Sequence, residues 1–375
     1  MRKTPDIRIL LVIYFVMPTG VAVAQDKISF PDAGGYKVLV CDPHIHTVFS
    51  DGLVWPTIRV DEGIREGLDV VVITDHLEYQ PHKEDIPNPN RNHSYELAKA
   101  SAKDRPILVI SGAEVTRTMP PGHINVMYLQ DANALLKDDP FEVLREASRQ
   151  GAFIFWNHPS WPGKAEDGSV HVFAMHEQLI KEGLLHGIEV INGKNYYEDA
   201  VALALKYNLA MLGSSDTHVP TEWDYQISKG EHRPSTLILA KEKTEASVKE
   251  ALLDRRTIAW HNSLLAGPEK YVSLLVQAIL NVRSAKYQGS ESMGAASVLS
   301  LVLENNSDVE FTLENASHYS FQQSLETVVL PPRTSMTLYV KTFKKLKEVE
   351  ILFLVKNVVV DINQHPTWVL RATVN

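Results

Sequence analysis

Between residues 37 and about 240, short apolar runs alternate with stretches of helical spacing; the runs lie at 37–41, 69–73, 107–110, 152–156, 187–191 and 210–212. Parallel strands need crossover connections, and strands covered on both faces read as continuous apolar runs. The alternation therefore predicts an α/β domain of repeated βα units, built on a parallel sheet or barrel. The first unit shows the pattern in detail. Pro56 suits a first helical turn, Val60, Ile64 and Leu68 recur at helical spacing, and Gly67 can end the helix before the strand at Asp69. A strand at 234–239, a helix at 244–253 and a segment at 257–265 lead out of this region.

After about Gly267 the periodicity drops to two, at 300–303, 337–340 and 349–355, with turn signals at Asn305-Asn306 and Pro331-Pro332. This predicts a small antiparallel all-β sandwich over 269–375, following a first domain at 25–268. Residues 1–24 have a different pattern. Arg2, Lys3 and Arg8 precede an apolar run at 9–17, and Ala22-Val23-Ala24 supplies a small-x-small cleavage site. That is the pattern of a signal peptide, predicting a periplasmic or secreted protein with no stable membrane anchor after cleavage.

At 375 residues, 44% hydrophobic and 22% charged, the chain is neither disordered nor fibrous. A formal net charge of -9 gives no general attraction to long nucleic acid or to an anionic membrane surface. Cys41 is the only cysteine, which excludes an internal disulfide and a thiolate zinc cage; its apolar strand predicts a buried, inert thiol. Thirteen of the 15 histidines precede residue 269, so histidine chemistry belongs to the first domain, and His318 and His365 in the sandwich are expected to ligate nothing. His82, His93, His171, His176, His186, His232 and His261 fall outside any motif and are expected at the surface or in caps.

The candidate chemistry sits where apolar runs end. Asp42-Pro43-His44-Ile45-His46 follows the first run, and two histidines at i and i+2 on an extended strand face the same way. Thr74-Asp75-His76, Ser111-Gly112-Ala113-Glu114, Asn157-His158 and Ser215-Asp216-Thr217-His218 end four further runs. Five strands thus deliver an imidazole or carboxylate at their C-terminal ends, where α/β folds gather catalytic groups. Nitrogen and oxygen donors without thiolate suit zinc, manganese or iron, in a number exceeding one tetrahedral ion and implying two or three.

The ordered series H-x-H-T-x-x-S-D-G, T-D-H, G-A-E, G-H-x-N, N-H-P and S-D-x-H resembles the PHP (polymerase and histidinol phosphatase) family over residues 36–265. The resemblance implies a distorted (β/α)7 barrel with a trinuclear metal centre. It implies His44, His46, Glu114 and Asp216 at a first metal, His123 and His158 with the bridging Glu114 at a second, and Asp51, His76 and His218 at a third. Asp75 is expected to orient a histidine. Glu114 and Asp216 count as catalytic, together with Arg117, which at three residues beyond Glu114 is a candidate phosphate clamp. Asn157, Lys194 and Tyr196 are further substrate-binding candidates.

Two bridged cations can generate hydroxide at neutral pH and neutralise phosphoryl charge. Export argues against a proofreading role and for a small phosphoester. The similarity to exported PHP phosphodiesterases, some acting on organophosphate diesters, implies a metal-dependent phosphodiesterase using a bridging hydroxide. A phosphomonoesterase is the close alternative; an amide or lactone hydrolase and a non-catalytic binding protein are the more distant ones.

Overall fold

The computed structural model describes residues 27–160, 169–287, 297–322 and 324–374; the expected signal peptide lies outside them. The strands of the first domain are β1 (Lys37–Ile45), β2 (Val70–Ile73), β3 (Leu108–Val115), β4 (Ile124–Met127), β5 (Phe153–Trp156), β6 (Gly187–Asn192), β7 (Asn195–Tyr196), β8 (Ala210–Ser214), β9 (Ser235–Ala240), β10 (Thr257–His261) and β11 (Leu264–Ala266). Seven of them curl in the order β1-β2-β3-β4-β5-β6-β8. The curl meets itself at one end, where Ile45 bridges Thr217, the Asp216 amide donates to the His44 carbonyl at 2.9 Å, and the His46 amide donates to the Thr217 carbonyl at 3.1 Å. The distortion lies in β1. Its first five residues pair antiparallel with β9, and its last residues turn toward the segment after β8. β10 and β11 extend the sheet beyond β9.

Within the seven-stranded curl, one strand departs from the expected parallel order. β4 pairs antiparallel with both β3 and β5, because the chain returns from Val115 to Ile124 through a short connection with no crossover helix. The consequence is functional. The start of β4 lies at the same rim as the ends of its parallel neighbours, which brings His123 there.

Helices cover the outside. The first, Pro56–Glu66, has proline in its first turn and ends at Gly67 with φ 89°. A side chain at Gly67 would be doubly unfavourable, since a Cβ would also lie 2.9 Å from the Ile28 backbone nitrogen. Inside, Phe153, Phe155, Val72, Leu212 and Ile110 are buried. Each full burial of such a side chain stabilises by roughly 1.5–3 kcal/mol. Cys41 is buried among them, and burial pushes its thiol well above the ordinary range, as expected of an inert cysteine.

The C-terminal region opens with a helix, Glu269–Ile279, that buries Val272, Leu275, Val276 and Ile279. Two four-stranded antiparallel sheets follow. One contains Leu280–Tyr287, Ser297–Asn305, Ser335–Thr342 and Ser320–Phe321; the other contains Thr327–Leu330, Phe311–Asn315, Glu348–Val355 and Thr367–Thr373. The short strand Val358–Val359 leaves the sandwich and pairs with β11, so the barrel sheet and the sandwich share one apolar core.

Candidate metal centre

The rim of the barrel is shaped before it is charged. Asp75 accepts from the Thr47 amide at 2.7 Å, the Thr47 hydroxyl at 2.7 Å and the Ser50 hydroxyl at 2.6 Å, fixing the turn after β1. Gly52 completes the turn, since a Cβ there would lie 2.8 Å from the His46 carbonyl carbon. The turn directs Asp51 into a cavity of about 350 Å3 that His76, Glu114, His123, His158, Asp216 and His218 also line. Two of these residues have left-handed backbones, His158 at φ 24° and Asp216 at φ 52°. Such conformations cost of order 1–3 kcal/mol and persist where surrounding bonds over-determine them.

Four donor atoms converge at the ends of β1, β3 and β8. His44 Nε2 lies 3.0 Å from His46 Nε2, 3.3 Å from Glu114 Oε2 and 3.2 Å from Asp216 Oδ1. His46 Nε2 lies 3.3 Å from Glu114 Oε2 and 3.0 Å from Asp216 Oδ1. Ligands at about 2.0–2.1 Å from a tetrahedral ion lie roughly 3.3–3.4 Å apart, so the spacing of the two imidazoles from each other and from both carboxylates suits one cation. The tautomer agrees. His44 Nδ1 donates to Glu189 Oε1 at 2.8 Å, which leaves the Nε2 lone pair facing the other donors.

Two further sets surround the first. His123 Nδ1 at 2.9 Å and His158 Nε2 at 3.4 Å approach the other Glu114 oxygen, so this carboxylate faces two positions at once. Asp51 lies 3.2 Å from His218 Nε2 and 3.5 Å from His76 Nε2, with His46 Nδ1 at 3.7 Å. All nine expected ligands thus meet in one place.

The electrostatics call for cations. Burial alone would raise Glu114 and Asp216, yet the facing histidines hold both below the ordinary carboxylate range; Asp51 is likewise held down by His218 and His76. Burial would lower His44 and His76, but the facing carboxylates overcome it, pulling His44 well up and His76 to about 10. Buried among other imidazoles, His46 falls to about 4. Without a cation, protons on histidine carry the compensation for this negative charge. The donor types, their spacing and the charge all fit divalent metal.

The four expected substrate contacts are placed differently. Arg117 ion-pairs with Glu78 and donates to the Lys137 carbonyl at 2.7 Å, so its guanidinium is engaged away from the cavity lining. Asn157 is buried and positions Glu114, donating to Oε1 at 2.9 Å while its own oxygen accepts from the Asn125 amide at 3.0 Å. The Lys194 ammonium lies over the Tyr225 ring at 5.7 Å, and Tyr196 lies outside the lining. Asn195 and Tyr197 occupy the cavity wall instead, with Asn192. Lys194 lies in the turn between β6 and β7, and alternation beyond it puts Tyr196 on the face opposite to Asn195 and Tyr197.

Several other expectations change. Asp75 holds the turn through Thr47 and Ser50 and reaches a histidine only through Ser50, whose hydroxyl is 3.4 Å from His46 Nδ1. His232 is buried rather than superficial, whereas His176, also buried, caps the helix Ala174–Lys181 as expected, its Nδ1 accepting from the Phe173 amide at 3.1 Å. His176 stacks on Trp156 at 4.0 Å and bonds the Pro121 carbonyl at 2.8 Å, supporting the loop that carries His123. In the sandwich, His365 bonds the Val358 carbonyl at 2.8 Å and His318 packs on Tyr319. The residue that motif reading missed is Glu189, fully buried on β6. Its one signal was a lone carboxylate inside the apolar run Gly187-Ile188-Glu189-Val190-Ile191.

A curled α/β sheet with imidazoles and carboxylates gathered at one rim, joined to a β-sandwich, defines a two-domain protein with a metal site as its candidate centre. Comparison with solved structures supplies the family. A two-domain protein from Bacteroides vulgatus, described as containing a predicted PHP-like metal-dependent phosphoesterase, is 37% identical, with a TM-score of 0.84. The match covers 92% of this chain and 98% of that one. The chain belongs to this PHP-like family. Residues 280–371 match an Ig-like domain model. A protein from Bifidobacterium adolescentis described as a metal-dependent phosphoesterase (16% identity, TM-score 0.38, 48% of this chain and 87% of that one) is too distant to inform the site. The same holds for an amidohydrolase from Chromobacterium violaceum (18% identity, TM-score 0.35, 48% and 88%). No curated protein matches the chain.

Proposed function

We propose that this protein is an exported metal-dependent phosphoesterase that hydrolyses small phosphodiesters. The observation that carries the proposal is the convergence of His44, His46, Glu114 and Asp216, with the two imidazoles 3.0 Å apart and each 3.0–3.3 Å from both carboxylates, flanked by two further donor sets. His44, His46, Glu114 and Asp216 would hold one ion, Glu114 with His123 and His158 a second, and Asp51, His76 and His218 a third; zinc, manganese and iron all suit these donors. Divalent ions bound there supply a nucleophilic oxygen at neutral pH and positive charge opposite a phosphoryl group.

The chain itself positions the substrate. Asn195 and Tyr197 present neutral groups beside the donor cluster. Burial pushes the Tyr197 phenol up, so it remains a hydrogen-bond donor at neutral pH. Among the described residues, no lysine or arginine lines the cavity. A phosphodiester carries one charge and a phosphomonoester about two, so a wall of neutral donors suits the diester better. Export is supported by the leader pattern at 1–24.

The test compares kcat/KM for a bis-aryl and a mono-aryl phosphate with the same leaving group, using metal-loaded protein. The diester should be preferred by at least about tenfold. A preference for the monoester would place the protein among phosphatases.

A further inference from the structure

Glu189 makes four hydrogen bonds and is fully buried. Oε1 accepts from His44 Nδ1 at 2.8 Å and from the Ser214 hydroxyl at 2.5 Å. Oε2 accepts from the backbone amide of His158 at 2.6 Å and from Asn192 Nδ2 at 2.9 Å. The same Asn192 nitrogen lies 3.3 Å from Asp216 Oδ2. One carboxylate therefore touches a histidine of the first donor set and the strained turn that carries a histidine of the second.

We infer that Glu189 is a positioning residue that couples the two ion positions, fixing His44 through one oxygen and the left-handed backbone of His158 through the other. The inference rests on the metal centre proposed above. A buried carboxylate is costly unless its lone pairs are satisfied, and here donors from four different residues satisfy them. Each donor has a separate effect. The bond to His44 Nδ1 directs the Nε2 lone pair toward Glu114 and Asp216. The bond from the His158 amide holds a backbone at φ 24°, and so the direction of that imidazole. Replacing either oxygen with an amide NH2 would set a donor against a donor, because Glu189 faces donors on both sides. Glu189→Gln sets a donor against a donor on the side its NH2 faces and replaces charge-assisted bonds with weaker neutral ones on the other, so both positions should weaken. Such outer partners typically change metal affinity 10–100-fold.

The experiment titrates zinc into the chelator-stripped full chain by calorimetry, for wild type, Glu189→Gln and Ser214→Ala, with circular dichroism checking that each apoprotein is folded. In Glu189→Gln, the first and second equivalents should both weaken by about 10–100-fold, whereas Ser214→Ala, which removes a single bond, should change either by less than about threefold. Weakening of one equivalent alone, or of neither, overturns the inference, as does an equal loss in Ser214→Ala. A wild type that binds no zinc overturns the metal centre itself, a separate result. If Glu189→Gln does not fold, long-range proton–nitrogen spectra of histidine-labelled, zinc-loaded wild type decide. A slowly exchanging His44 Nδ1 proton is expected, and its proton on Nε2 would overturn the assignment.

Discussion

Two buried polar clusters in the barrel balance their charge in opposite ways. In one, Asp42, Glu62 and Glu66 meet Arg59 and Arg233, which bonds Glu66 at 2.7 Å and Asp42 at 3.2 Å; Arg59 bonds Glu62 at 2.8 Å. In the other, Asp51, Glu114, Glu189 and Asp216 meet histidines, and among the described residues none of the four pairs with lysine or arginine. The first cluster supplies its own cations and serves as structure: Arg233 ties β1, through Asp42, to the helix Pro56–Glu66, through Glu66. The second holds its negative charge in place without a permanent counter-charge. A fold retains such an arrangement where a metal ion completes it.

The largest effect expected from this contrast is at Glu114, which faces two ion positions. Glu114→Gln should lower kcat/KM for the bis-aryl phosphate by ~10^3-fold or more, about 4 kcal/mol, and lower metal content per chain, while leaving the fold intact. Activity assay and elemental analysis on the same preparation check it. Arg233→Ala should do the reverse. Removing one partner of a buried ion cluster costs about 3–5 kcal/mol, read as an earlier denaturation midpoint, while the folded fraction keeps its zinc stoichiometry.

A third way to sharpen the contrast is pH. His76 is held at about 10 against an ordinary 6.5, so in the metal-free protein its stabilising contribution is fully present below about 6.5 and is lost as pH rises through 10. The depressed Asp51, Glu114 and Asp216 contribute stability above the ordinary carboxylate range near 4 and lose it only in acid. The apoprotein should therefore lose stability from pH 6.5 toward 10. Metal requires neutral imidazole, so the stabilisation it confers grows over the same range. The gap in Tm between metal-loaded and stripped protein should widen between pH 6 and 9; parallel curves would show that the histidines do not ligate.

Smaller effects distinguish the faces of β7. Asn195→Ala and Tyr197→Phe should each raise KM for the diester about 3–10-fold, the worth of one hydrogen bond at about 1 kcal/mol, whereas Tyr196→Phe and Arg117→Ala should stay within about twofold.

Much of the site was legible from composition and order alone, for a physical reason. His44, His76, Glu114, His158 and Asp216 each follow an apolar run, and such a run ends in an α/β fold at the rim where function gathers. The first helix was equally plain, because Pro56 and Gly67 mark its ends chemically. The antiparallel β4 was hidden, since four apolar residues after His123 carry no sign of direction. The choice between Asn195 and Tyr196 was also hidden, because a strand of two residues gives no phase from which to count alternation. Glu189 escaped because its importance lies in what it touches across the barrel, which no local pattern encodes.

The central claim is that the buried carboxylate and imidazole cluster works only with metal. It is tested most directly by titrating chelator-stripped protein, shown metal-free by elemental analysis, with zinc or manganese while following bis-aryl phosphate hydrolysis. Turnover should be absent at the start and rise to a plateau at two or three equivalents per chain. Full turnover by the verified metal-free protein would contradict the account.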